Sequence, residues 1–500
     1  MRSRYQVTLV LFIFSTAAFA GDWIEYTNET ASRLIADGSL GAKDTKEKDY
    51  AWGDVDRDGD IDLVVVRKEI NTNSIGYQNV LFMLEGRDDG QAINGVLVDR
   101  TTEYIPQFLD ITNDRDVALV DLDGDGWLDM VTVTACNGCN PSPDLLPRIY
   151  MNRGEDRGIW QGFVWEPTRM PSFPLTPNFC AVGYGDVTGD GSADLYLTDY
   201  FNTLEDRLLI NNGVGFFTDQ TSARVSPWLT TSEFSAHAVI ADLNHDGYND
   251  IIKNSALSPY QLRLGYNDPE NVGFFTSLPA NGQVLCTCSD YFVQVGDLNN
   301  DGLLDVVELD DAADRYFLNQ GNGPDGQVNW LPIVLPDSNN GFDENTVIID
   351  LDNDGFNDIL VADVGVDGAN CMRRMDIHHN LGNPPIVTFE EDVGNLPTEE
   401  GGPLRGTHDV AVFDIDGDCW LDLVIGSCSG TTVWINQGPG NICAVCTGDL
   451  DDDGSVGAAD LLSLLDSWGP CKGCPADFDG NGTVGAADLL ALLVNWGPCP

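Results

Sequence analysis

A nine-residue acidic pattern recurs seven times along this chain, and its spacing constrains the fold more than any other feature. DVDRDGDID stands at 54–62, DLDGDGWLD at 121–129, DVTGDGSAD at 186–194 and DLNHDGYND at 242–250. DLNNDGLLD follows at 297–305, DLDNDGFND at 350–358 and DIDGDCWLD at 414–422. All seven share Asp at the first, fifth and ninth positions, and the third is Asp, Asn or Thr, always an oxygen donor. Six carry Gly at the sixth position, where a sharp turn favours a residue without a Cβ. Successive copies start 53 to 67 residues apart.

Like charges this close repel and cost folding free energy. A solvated acidic turn would explain one copy but not seven. Oxygen ligands at alternate positions around a glycine turn are what Ca²⁺ takes, and the ion supplies the missing positive charge. The predicted ligands of the first loop are Asp54, Asp56, Asp58, Asp60 and Asp62, and of the second Asp121, Asp123, Asp125 and Asp129. The third offers Asp186, Thr188, Asp190 and Asp194, and the fourth Asp242, Asn244, Asp246 and Asp250. The fifth offers Asp297, Asn299, Asp301 and Asp305, and the sixth Asp350, Asp352, Asp354 and Asp358. The seventh offers Asp414, Asp416, Asp418 and Asp422.

Each loop lies between two short apolar segments, such as VALV at 117–120 before and LVVV at 63–66 after, which read as strands buried on both faces. A third strand then ends in an Asn/Gly turn, as in IYMNRG at 149–154 and VWINQG at 433–438. A more polar fourth follows, as in VLVDRTT at 96–102 and FFTDQTS at 216–222. Four strands per ~60 residues, seven times over, predict an all-β seven-bladed propeller. The seventh unit lacks its fourth strand, and DWIEYTNET at 22–30 has the character of one. The chain's first strand is therefore expected to complete the last blade by pairing with 431–437, which removes an open sheet edge. Aromatics at the seventh loop position (Trp127, Tyr248, Phe356, Trp420) are read as covers for neighbouring strands rather than as sugar platforms.

The D-x-[DNT]-x-D-[GC]-x-x-D loop followed by LVVV-type strands resembles the FG-GAP/VCBS repeats of integrin α-like propellers, over residues 21–438. The resemblance implies structural calcium between the two inner strands of each blade, with partner binding on other loops. Cys419 replaces the turn glycine of the seventh loop and is expected to weaken it; Thr188 removes one carboxylate from the third.

Residues 1–20 carry Arg2 and Arg4 ahead of an apolar stretch ending Ala18-Phe19-Ala20, the pattern of a signal peptide cleaved near Ala20. The rest is expected to be secreted, extracellular or attached to the cell surface, and no later run is apolar enough to span a membrane. A net charge of −55 from 25 basic and 80 acidic residues excludes nucleic acid and anionic membranes as direct partners. Thirteen cysteines in an exported chain point to disulfides, with CxxC at 136–139 and CxC at 286–288. None of the five histidines belongs to a recognisable metal or catalytic spacing.

After the linker at 439–445 the pattern changes. DLDDDGSVGAAD at 449–460 and DFDGNGTVGAAD at 477–488 open like the earlier loops, but close with a twelfth-position Asp and run into LLSLLDSWG and LLALLVNWG. A twelve-residue loop leading into an apolar-faced helix is EF-hand logic. Two such units in 446–500 resemble a type I dockerin, the module that docks onto cohesin domains. The implied ligands are Asp449, Asp451, Asp453, Ser455 (carbonyl) and Asp460, then Asp477, Asp479, Asn481, Thr483 (carbonyl) and Asp488. Loop positions ten and eleven are Ala-Ala in both units, where cohesin-recognising dockerins tend to carry Ser or Thr. A shift of 28 residues maps Cys446 onto Cys474 and Cys471 onto Cys499, which fits a disulfide clamp within each unit or, in a rival reading, a zinc site. In all, about nine Ca²⁺ sites are expected.

Two function classes remain. One is a non-catalytic binding, adhesion or scaffold protein, with a protein or glycan ligand on the propeller and a cohesin-like partner for the tail. The alternative is a secreted carbohydrate-active enzyme, a hydrolase or lyase, or a lectin-like subunit. The sequence shows no catalytic spacing.

Overall fold

The structure is a computed structural model. It describes residues 23–36, 44, 46–68, 76–86, 95–135, 146–175, 177–200, 205–231, 233–310, 313–336, 343–363, 375–391 and 406–438, and, beyond them, 448, 450, 455–470, 475–476, 478, 483–494 and 496–498.

Seven antiparallel sheets succeed one another along the chain as the blades of a propeller. The innermost strands are Glu47–Gly53, Asp114–Val120, Phe179–Gly185, Ala238–Ala241, Asp290–Gly296, Asp343–Ile349 and Thr407–Phe413, and each contacts the next around a closed ring. Each runs into its acidic loop, so the seven loops crown one end of the ring. The second strands start on the ninth loop aspartate. In blades one to five and seven they are buried along their whole length, as continuous Val/Leu/Ile runs require.

The core is divided between blades. Seven apolar clusters each join one blade to the next, from the one that holds Val66 and Met130 to the closing one that holds Leu84 and Ile435. Closure takes the expected form: Tyr26, Thr27 and Asn28 pair antiparallel with Asn436, Ile435 and Trp434, so the outermost strand of blade seven comes from the start of the chain. Blade one gains a fifth strand, because Leu34–Ile35 lies parallel to Val96–Asp99.

In blades one, three and seven the fourth strand leads into a one-turn helix, at Thr101–Tyr104, Thr221–Arg224 and Thr30–Arg33. In blade one Asp99 Oδ1 accepts from the amide and hydroxyl of Thr101, whose Oγ1 then accepts from the Leu81 amide. Asp219 and Thr221 repeat this onto Leu208, and Asn28 and Thr30 onto Val433. The N-terminal segment thus carries the same Asx-x-Thr corner as a true fourth strand.

In the C-terminal part, helices Ala458–Asp466 and Ala486–Val494 follow the two loops, and Val456, Leu464, Ala476, Val484 and Leu492 form a small core. Ser455–Val456 pairs with Gly497–Pro498, and Gly469–Pro470 with Thr483–Val484. Residues 1–20, the linker at 439–445, Cys136, Cys139, Cys446, Cys471, Cys474, Cys499 and the predicted ligands Asp449, Asp451, Asp453, Asp477, Asp479 and Asn481 lie outside the described residues. No described helix is long and apolar enough to cross a membrane.

Candidate metal centres

The seven loops share one backbone geometry. In every loop the sixth-position amide donates to Oδ2 of the first aspartate, at 2.7 to 3.1 Å, from Gly59 to Asp54 through to Cys419 to Asp414. The seventh-position amide donates to Oδ1 of the fifth aspartate in all seven, at 2.9 or 3.0 Å. These bonds need a left-handed residue at the sixth position, and Cys419 adopts it at φ 65°. The loosening expected of that cysteine is not seen: its amide still donates to Asp414, and its sulfur is in a disulfide. The fourth position is left-handed in every loop too, including Arg57 and His245, a requirement that the sequence pattern did not reveal.

The ninth aspartate is a buried clasp. Its Oδ2 accepts from the second-position amide of its own loop and its Oδ1 from an amide of the third strand, in all seven blades. In blades two to seven that third-strand residue is an asparagine: Asn152, Asn211, Asn267, Asn319, Asn380 or Asn436. In the first five of these, its Nδ2 donates both to the eighth-position carbonyl of its own loop and to the second-position carbonyl of the preceding blade's loop, as Asn211 does to Ala193 and Leu122. Sequence reading took these asparagines for turn formers. They are rivets between blades.

This leaves the carboxylates crowded. Ligand atoms of Asp54, Asp56 and Asp58 lie within 4.8 Å of one another, as do those of Asp121, Asp123 and Asp129, and of Asp350, Asp352 and Asp358. Asp60 sits at the seventh position, where other loops carry Trp, Ser, Tyr, Leu or Phe, and its amide closes the turn on Asp58. Trp127 lies against the Arg57 guanidinium at 4.5 Å and Trp420 is buried, so both cover neighbouring structure as expected. In the C-terminal units, buried Asp460 accepts from the amides of Leu450 and Gly457, and Asp488 from Phe478 and Gly485, the same kind of clasp.

Without a cation these groups resist ionisation. Burial, reinforced by the neighbouring loop carboxylates, pushes Asp62 up to about 9, Asp422 to about 8, and Asp129, Asp305 and Asp358 to about 7. Asp56 rises to about 6 through burial and the charge of Asp58. The folded carboxyls therefore bind protons more tightly than the unfolded chain, and metal-free stability falls as pH rises from the ordinary carboxylate range towards about 9. Chelated protein is expected to melt at a higher temperature at about pH 5.5 than at about pH 8. Calorimetry in chelator checks this; a melting point that drops on acidification in that window contradicts it.

An axial cavity of about 560 Å³ runs along the innermost strands, lined from Asp49, Asp116 and Asp409 to Trp52, Leu119 and Ile349. Asp409 accepts from the Tyr50 amide and Asn345, and Asp116 from the amides of Val117 and Val182, tying adjacent blades together.

Residues 186–252 and 297–361 match the FG-GAP-like repeat family. The chain thus carries FG-GAP-like repeats on a seven-bladed β-propeller. No curated protein matches it. Among solved structures, an Agrocybe aegerita lectin, described as recognising non-reducing terminal N-acetylglucosamine, is 17% identical with a TM-score of 0.43, over 78% of this chain and 85% of its own. The Tc holotoxin pore of Photorhabdus luminescens is 17% identical with a TM-score of 0.37, over 75% of this chain and 16% of its own.

Proposed function

We propose that this chain is a secreted, calcium-stabilised propeller acting as a non-catalytic binding, adhesion or scaffold protein, with a dockerin-like tail that docks it to a partner such as a cohesin-like domain. The observation that carries this reading is the sevenfold repetition of one loop geometry: each clasp fixes its carboxylates at the same end of the ring and leaves them short of positive charge. Ca²⁺ supplies that charge through oxygen ligands alone. The ring is thereby made rigid, and a protein or glycan ligand is left to the remaining loops. The engagement of Asp116 and Asp409 by backbone amides supports a binding role over catalysis in the axial cavity, since carboxylates used as clasps are not free as an acid–base pair.

Glycan-array and protein-binding screens of the full chain in calcium, run beside a polysaccharide depolymerisation assay, test the reading. Calcium-dependent binding without turnover is expected. Turnover of a polysaccharide would replace this reading with a carbohydrate-active enzyme.

A further inference from the structure

The sixth loop is faced by a third-strand side chain of a kind that no other loop meets. The residue before the third-strand clasp is Met83, Met151, Ile210, Tyr266, Leu318 or Ile435 in the other blades, and His379 in blade six. Its imidazole does the packing work of those residues by stacking on Trp23, with ring centres 3.9 Å apart and planes 8° from parallel. The ring edge does something the others cannot. Nε2 is sealed from solvent and lies 3.2 Å from Oδ2 of Asp352, with which the protonated imidazole forms an ion pair. Ligand atoms of Asp352, Asp354 and His379 lie within 4.8 Å of one another.

We propose that the sixth loop is a mixed nitrogen–oxygen site for a divalent transition-metal ion of the zinc class. The inference rests on the reading of the acidic loops as cation sites and adds which ion this one selects. Calcium prefers an all-oxygen shell, whereas zinc and its neighbours accept imidazole with carboxylate. Stacking on Trp23 fixes the orientation of the ring, as a supporting shell does for a ligating histidine. Asp352 and Asp354 belong to both possible ligand sets, with Asp350 and Asp358 on the calcium side and with His379 on the zinc side. The two ions therefore exclude each other at this loop.

The test is a metal count on the full chain after dialysis against calcium, with and without low-micromolar zinc. Zinc should add one ion per chain and remove one calcium. His379→Leu, which installs the residue of blade five, should weaken zinc binding at least about tenfold while leaving the calcium count in zinc-free buffer unchanged. His379→Gln, checked for folding by circular dichroism, serves the same purpose if the leucine variant is poorly folded. His245→Gln, at an exposed histidine of the fourth loop, should change neither count. Cobalt in place of zinc should show nitrogen coordination in the wild type and lose it in both His379 variants. Zinc retained by those variants, or zinc that enters without displacing calcium, overturns the proposal. A wild type that holds no calcium in either buffer sinks the underlying cation reading instead, and is told apart by the zero calcium count.

Discussion

Chelation of calcium is expected to lower the melting temperature of this protein by roughly 20 °C. Each occupied loop contributes about 2.7 kcal/mol when free calcium is a hundredfold above its dissociation constant, so seven contribute roughly 19 kcal/mol. With an unfolding entropy of ~2.1 cal/mol/K per residue, a ring of ~400 residues loses about one degree for each ~0.9 kcal/mol. Asp121→Ala removes the acceptor of the Gly124 and Gly126 amides and one carboxylate of the second loop. It should cost roughly 3 °C in calcium and far less in chelator. Differential scanning calorimetry decides the matter; equal melting temperatures with and without calcium would refute it.

Deleting residues 23–33 should be the most damaging change to the apo or loaded ring. That segment buries Ile24 and Tyr26 against the cluster between blades six and seven, and the Tyr26 hydroxyl donates to the Leu421 carbonyl. Arg33 donates to the Gly95 carbonyl of blade one and lies 3.6 Å from Asp416 of the seventh loop, so it bridges the closure point. Loss of the two side chains alone costs about 3–6 kcal/mol, and the outer edge of the strand Gly430–Asn436 is left unpaired, a template for aggregation. The truncated protein is expected to aggregate, and a synthetic peptide of residues 21–36 supplied in trans should rescue it. A truncated chain that stays monomeric with an unchanged melting point would show that the ring closes by other means.

Much of this architecture was legible because it repeats. Seven copies of D-x-[DNT]-x-D-[GC]-x-x-D fix the blade number, and the missing strand after VWINQG points to DWIEYTNET as its replacement. What escaped notice acts through single residues across long separations. Asn152 is a rivet only because Val55, 97 residues earlier, presents its carbonyl in the preceding blade. His379 has no metal-type spacing along the chain, and its meeting with Asp352 is produced by the return of the third strand beneath the loop. The left-handed fourth position was hidden because Arg57 and His245 occupy it alongside the more permissive Gly124 and Asn300. Cys419 misled in the other direction: a residue that disfavours the turn is held in it by the hydrogen bond that its amide donates to Asp414.

The central claim is that the acidic loops are filled by calcium, and a stoichiometry measured by equilibrium dialysis with radioactive calcium tests it most directly. The full chain, stripped with chelator and returned to calcium alone, is predicted to take up about nine ions, seven in the propeller and two in the C-terminal units. Fewer than seven would contradict it.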